Sequence, residues 1–502
     1  MDVARFVDEL NATCVRPIQA QLMKQSKEEG VLYTLEMEES LDRLEASTGD
    51  VVQPTCNLPS MDTTWTDCAD ILVRIAMRYQ YGNLTSSCPS SSIDLIALPV
   101  FRIVHILVAL YEDIAMPSSS SSTTAIDGWA ASMTHACTFY LCTRSSTLPS
   151  THESRAAAQR IIEMVHRRLR PRESATTMTN AVDIFPRLLP RILSLFASKS
   201  SKEEWVVTGA AAPHAFAWFI LQIPFPHFTS DIVGRVLALA LPLLDQVTAS
   251  TQLVGLSVLH HIIRHATTTD IRWYSDLLVH EMEQTLTTAS TSASFLDAAL
   301  ACLADLLAVL STGPRDISLY DRFFPSLLRQ WDMALEVSVK TIFTKHIRVW
   351  VQRTGAPHSL HVLRFLQALL KVTLGCVENV EATMCMEALE TLHAIVMAAW
   401  IRMPAHVEEV TVSILKCLAY NELQRQVPLP NVDPLEKAQH FENVTAKCHV
   451  ILYLLEQVSP ADDGRSTVRA VLHHVEEGCS SLAPLCAGAR QYLNDQKPSA
   501  IP

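Results

Sequence analysis

Three histidines crowd one short stretch, Leu259-His260-His261-Ile262-Ile263-Arg264-His265. His261 and His265 stand one helical turn apart, so on a helix both imidazoles leave the same face and could offer two nitrogens to zinc. Catalytic zinc needs a third ligand and a positioned base. In an HExxH helix the base follows the first histidine, and here that position is Ile262. The three are read as ordinary helix histidines, some buried and hydrogen-bonded. Cysteine chemistry is no better supplied: Cys137 and Cys142 are five apart, Cys376 and Cys385 nine apart, and no CxxC occurs. Gly255-Leu256-Ser257-Val258-Leu259 comes nearest to a nucleophile elbow but lacks the second glycine, so Ser257 reads as a small residue packed between helices. Neither GxxxxGK[ST] nor GxGxxG is present. Adjacent acids such as Glu408–Glu409 and Asp462–Asp463 fall at helix starts or in loops, where they serve solvation and the helix dipole. No catalytic, cofactor-binding or metal residue is nominated, and the chain is expected not to be an enzyme.

Residues suited to recognition are easier to find. Arg167, Arg168, Arg170 and Arg172 form a basic cluster that could meet an acidic segment or phosphate, although positive charge is favoured at any helix C-terminus. Trp205, Trp218, Trp331, Trp350 and Trp400 mostly lie at helical spacing from leucines and are expected in the core first. Tryptophan and arginine dominate binding hot spots, so Arg348, Trp350, Trp400 and Arg402 are nominated as the partner-binding set.

The elements that must position these residues are helices. Met386, Leu389, Leu392, Ile395, Val396 and Ala399 step by three and four, which makes one helix face apolar. Val362, Leu363, Phe365, Leu366, Leu369 and Leu370 do the same one helix earlier. From about Asp183 to Tyr420 such stretches follow one another with short polar breaks. Two helices per roughly 40 residues is the period of a HEAT or armadillo array, in which each pair buries its stripe against its neighbours. The fold class expected is all-α, a HEAT/armadillo-like helical-repeat solenoid. Helices are predicted at 181–197, 210–222, 229–244, 251–266, 271–287, 294–310, 316–331, 335–354, 359–374, 380–400 and 405–421. Two closing helices follow, near 435–458 and 466–479. Upstream, 51–64 reads as a loop, a short helix covers 68–79, and Pro117–Thr124 (PSSSSSTT) is a flexible link. The main boundary is placed there, giving residues 1–125, an N-terminal helical region with Ser/Pro-rich linkers, and residues 126–502, the array.

Composition agrees. Hydrophobic residues make up 49% of the 502, which excludes a disordered chain. With 13 glycines there is little supply of the positive-φ positions that phosphate loops and tight hairpins need. Thirteen cysteines, an odd number in apolar helical settings, read as buried thiols of a reducing compartment. A net charge of −12 argues against a general nucleic-acid binder. The apolar runs are interrupted by Arg235 and Pro242, or by Asp297 and Asp305, before a clean span of ~18 residues is reached. The opening MDVARFVDELNATCV has no apolar signal core. No membrane or nucleic-acid partner is therefore expected, and the chain is expected in the cytoplasm, with the nucleus as a further location.

Several short blocks carry a family resemblance: Ala215-Phe216-Ala217-Trp218, Val254-Gly255-Leu256-Ser257-Val258-Leu259-His260-His261-Ile262, Ile347-Arg348-Val349-Trp350-Val351 with Gly355, and Glu387-Ala388-Leu389-Glu390-Thr391-Leu392 running to Trp400-Ile401-Arg402. In this order, over about Trp205–Arg402, they resemble the Tti-two family, the smaller Tel-interacting subunit of the Triple T (Tel–Tti–Tti) complex. The first ~125 residues share none of these blocks. The resemblance implies a non-enzymatic co-chaperone scaffold, with a larger Tti-one-like helical-repeat subunit and a Tel-like subunit as partners. It implies indirect links to phosphatidylinositol-3-kinase-related kinases of the mTOR and ATM group and to the ninety-kilodalton heat-shock chaperone. It carries over no catalytic residue. The competing expectation is a HEAT-repeat adaptor of nuclear transport or vesicle coats.

Overall fold

The computed structural model of the chain describes residues 3–18, 39, 41–43, 59–78, 97–105, 107, 120–142, 152–169, 184–196, 205, 211–288, 292–311, 316, 318–355, 360–379, 381–426, 434–458 and 467–496. These residues are helical almost throughout. An isolated bridge joins Phe228 and Ala266, and no strand forms among the described residues. The all-α helical-repeat class expected from the sequence is the one the chain adopts. Two compact units are distinguished by contact density, Met1–Trp273 and Tyr274–Pro502.

In the first unit, α1 (Val3–Leu10) continues through a wider turn at Asn11–Val15, and α2 is Pro59–Arg78. Residues 97–105 form α3. Then come α4 (Ser120–Leu141), α5 (His152–Leu169), α6 (Ile184–Phe196), α7 (Ala211–Ile220), α8 (Ser230–Leu244), α9 (Ala249–His265) and α10 (Thr268–Trp273). α4 is the hub, packing against α2, α5, α6 and α7. Trp65 of α2 stacks on Trp129 of α4 at 4.9 Å, and the Tyr140 hydroxyl donates to the Leu72 carbonyl at 2.9 Å. The N-terminal helix α2 is thus part of the same core as α4. Two local expectations are corrected here. The helix placed at 68–79 begins at Pro59, inside the expected loop, because proline is tolerated in a first turn. The Ser-rich link is helical from Ser120. A second Ser-rich stretch of the sequence, residues 85–92, lies outside the described residues.

The second unit contains α11 (Ser275–Thr288), α12 (Ala293–Leu310), α13 (Ser318–Met333), α14 (Val337–Gly355), α15 (Leu360–Arg364), α16 (Leu366–Val377), α17 (Ala382–Ala399), α18 (Val407–Gln426), α19 (Pro434–Val458), α20 (Val468–Gly478) and α21 (Ala483–Asp495). Short links make consecutive helices antiparallel neighbours. The repeat is written in side-chain bonds between first helices of successive pairs. Glu283 binds Arg322, Asp321 binds His361, Asp332 binds Lys371 and Glu378 binds Lys416, at sequence separations of 39, 40, 39 and 38. Equivalent positions therefore recur one period of about 40 residues apart, as a HEAT-like array requires.

The α17 helix shows why the sequence folds this way. Met384, Cys385, Ala388, Leu389, Leu392, Ile395, Val396 and Ala399 are buried at three- and four-residue steps, and the Glu381 side chain caps the first turn by accepting from the Met384 amide at 2.7 Å. Each fully buried aliphatic side chain contributes roughly 1.5–3 kcal/mol, more than the capping bond. By length and composition, Ala293–Leu310 and Ala382–Ala399 are apolar enough to cross a bilayer. Here both lie among packed helices, with Asp297 and Asp305 of the first, and Glu387 and Glu390 of the second, ion-paired to neighbouring helices.

The predicted helix at 359–374 breaks at Phe365, which leaves helical dihedrals. That at 271–287 breaks at Tyr274. A third closing helix, α21, had no prediction; it buries little beyond Cys486, Ala489 and Leu493, too thin a stripe to stand out.

Candidate interaction surface

The histidine stretch is a fastening. His261 donates from Nε2 to the Ile223 carbonyl at 2.7 Å, and the Phe225 amide donates to His265 Nδ1 at 3.4 Å. Both rings thus engage the backbone of the α7–α8 link, and they lie 4.3 Å apart, centre to centre. Burial lowers the pKa of both; for His261 the bond to Ile223 works the other way, and neighbouring cations add to the lowering in each. The glycine of the same block has its own reason. A Cβ on Gly255 would sit 2.8 Å from Leu243 Cβ and 3.1 Å from the Ala240 carbonyl oxygen, so only glycine lets α9 approach α8 this closely. Ser257 donates to Val254 within its own helix. The most distinctive block of the family resemblance is therefore a packing device.

The cysteines singled out in the sequence are buried. Cys385, Cys417 and Cys448, from α17, α18 and α19, form a sulfur row with contacts of 3.5 and 3.9 Å. Burial pushes the thiols of Cys137, Cys302 and Cys376 well up, and for Cys385 the contact with Cys417 is the first cause, ahead of burial. Such thiols are poor nucleophiles. In the basic cluster, Arg167 is exposed near the end of α5, while Arg170 and Arg172 lie outside the described residues.

The four nominated residues separate. Trp350 is 1% exposed, stacked on Phe324 at 5.9 Å and edge-on to Tyr320 at 5.5 Å, which makes it a packing residue of the second unit. Arg348 on the same helix pairs with Glu387 of α17 at 3.2 Å and ties two second helices together. Trp400 and Arg402 are at the surface. Trp400 is 56% exposed and keeps helical dihedrals just past the end of α17. Arg402 donates from one guanidinium nitrogen to the Leu363 carbonyl at 3.0 Å, which fixes the α17–α18 turn against α15. Trp205 and Trp331 are buried, donating to the Leu239 carbonyl and to Thr344 Oγ1, and Trp218 is half-buried.

Sequence reasoning missed the exposed apolar neighbours Leu360, Met397 and Ile401. A signal was available for two of them: Met397 and Ile401 fall off the stripe that Leu392, Ile395, Val396 and Ala399 follow at three- and four-residue steps.

Human TELO2-interacting protein 2 is 24% identical to this chain over 300 residues, 57% of this chain and 55% of the relative. The chain is similar to TELO2-interacting protein 2. The mouse TELO2-interacting protein 2 is 23% identical over 239 residues, 45% of either chain. The chain spans about half the length of the curated relatives it matches. No family model matches it. Among solved structures, importin beta aligns with 92% of this chain and 54% of its own at 14% identity and a TM-score of 0.42. Kap121p aligns with 95% and 45% at 11% identity and a TM-score of 0.40. The similarity to TELO2-interacting protein 2 agrees with the resemblance drawn from the sequence blocks.

Proposed function

We propose that this chain is a non-enzymatic scaffold subunit of a Triple T co-chaperone complex. It joins a larger Tti-one-like helical-repeat subunit and a Tel-like subunit, and so supports maturation of phosphatidylinositol-3-kinase-related kinases with the ninety-kilodalton heat-shock chaperone. The observation that carries this reading is the similarity to TELO2-interacting protein 2, whose name states an interaction. The fold supports it: helices at a period of about 40 residues present ridges and turns for protein contact rather than a chemical pocket. Titratable groups are spent on structure, as with His261, His346 and the sulfur row. The partner contact is narrowed to the exposed pair Trp400 and Arg402, because Trp350 and Arg348 are engaged inside the second unit. The same reading puts the chain in the cytoplasm, with the nucleus as a further location, and keeps residues 1–125 as an N-terminal region ahead of the array at 126–502.

An affinity pull-down of the tagged full chain from its own cells, followed by mass spectrometry, tests the reading. Recovery of the larger helical subunit together with a Tel-like subunit supports it. Recovery of small GTPases or coat proteins in their place leaves the fold standing and overturns the function.

A further inference from the structure

Met397, on the last turn of α17, and Trp400 and Ile401, just past its end, are spaced by three and four and are 46%, 56% and 62% exposed. The Arg402–Leu363 bond places the turn that follows them against α15, whose first residue, Leu360, is 65% exposed and one turn from Leu363. Two guanidinium groups flank these apolar residues. Arg364 is largely exposed and shares Asp321 with His361 at 3.4 Å, and Arg402 has no carboxylate partner among the described residues. The chain as a whole carries a net charge of −12, so a basic flank here is a local reversal of sign.

We propose that Leu360, Met397, Trp400 and Ile401, with Arg364 and Arg402 beside them, dock an amphipathic helix of the partner subunit that carries acidic residues next to its apolar stripe. The identity of that subunit rests on the scaffold reading above; the chemistry of the segment rests on this surface. An apolar strip crossed by a tryptophan takes the apolar face of a helix. A guanidinium desolvated by that contact needs a carboxylate, and Arg402 is free to accept one. A second exposed apolar site in the same unit shows the selectivity of the argument. Met333, Leu335 and Val337 at the α13–α14 turn are also exposed, but Glu336 stands among them, and its charge repels an acidic segment.

The test uses the full chain and the purified larger subunit, with affinity measured at low and high salt. Trp400→Ala with Ile401→Ser is expected to weaken binding by about tenfold or more. Arg402→Glu is expected to weaken it by a factor that shrinks as salt rises. Leu335→Ser, at a residue 97% exposed, is expected to leave affinity unchanged. Helical circular dichroism and the melting temperature serve as folding controls, since every substituted residue is exposed. If the wild-type chain binds and both surface variants bind equally well, the docking surface is wrong and the scaffold reading survives. Equal losses from Leu335→Ser and the Trp400 variant overturn it as well. Failure of the wild-type chain to bind the larger subunit overturns the scaffold reading, and the docking proposal falls with it.

Discussion

Among the described residues, the two units fasten successive helices with a different balance of bonds. In the first, side chains reach across to backbone carbonyls: Tyr140 to Leu72, Arg235 to Pro190, Trp205 to Leu239 and His261 to Ile223. An ion pair, Arg102–Asp42, joins them. In the second unit, opposite charges meet at nearly every step, from Glu283–Arg322 through Asp297–Lys345, Asp305–Arg353 and Asp332–Lys371 to Glu378–Lys416 and Glu390–Lys447. A carbonyl bond from a neutral, buried donor such as Tyr140 or Trp205 depends on geometry and burial and is nearly blind to salt and acid. A half-exposed ion pair contributes little net energy but adds a dependence on ionic strength and pH. The same repeat plan can therefore be fastened in two ways that respond differently to solution conditions.

The largest expected effect tests the core common to both strategies. Trp350→Ala should cost roughly 3–5 kcal/mol and loosen α13 and α14, read by hydrogen exchange on peptides of the second unit. A loss below about 1 kcal/mol would show that the ring is not a packing residue. Next, Gly255→Ala should destabilise the first unit by about 1–3 kcal/mol, because the new methyl has no room against Leu243. Protection should fall in α8 and α9 while the second unit is unchanged.

Asp297→Asn removes the negative charge that Lys345 and His346 face while keeping an accepting oxygen, and should cost about 1 kcal/mol, with the difference from wild type shrinking in 1 M salt. A salt-independent loss would break the contrast drawn between the units.

A smaller effect is expected on acidification. Burial holds the His346 pKa below its ordinary value of 6.5, against the opposing pull of Asp297. The unfolded chain therefore takes up a proton before the folded chain does. That contribution to stability is complete above about pH 6.5 and is lost as pH falls through the range below it. Asp297 acts further down: burial raises its carboxyl, His346 and Lys345 outweigh that, and the net lowering makes its contribution fade as pH falls through the acid range. The melting temperature should drop between pH 7.5 and 5.5, and His346→Gln should flatten the drop. An unchanged slope would mean that this histidine is not the group being titrated. The smallest expected effect is Trp400→Ala, within about 0.5 kcal/mol of wild type, since the ring is largely in water.

Much of the array was legible because a 3.6-residue period leaves its mark in the order of apolar residues. Predicted helices at 229–244, 294–310 and 380–400 differ from the observed ones by a residue or two at their ends. The break at Phe365 was not legible, because it coincides with packing of that ring 5.3 Å from Phe324, a residue one repeat away. The α21 helix was missed for the opposite reason: its buried stripe is short and small. Of the nominated surface, Trp400 proved exposed and Trp350 buried, although both follow apolar helix positions.

The sequence by itself determined that the chain would be helical, that its helices would pair at a period of about 40 residues, and that cysteines such as Cys137 and Cys376 would be buried thiols. Those properties are local: dihedral preference and the side of a helix on which a side chain leaves are set by residues within one or two turns. Tertiary structure alone decided that Trp350 fills a core while Trp400 faces water, that Gly255 marks the closest approach of α8 and α9, and which acid meets which base 38 to 40 residues away. Those outcomes depend on which neighbour occupies the far side of each helix, and that information is spread over residues a whole repeat apart.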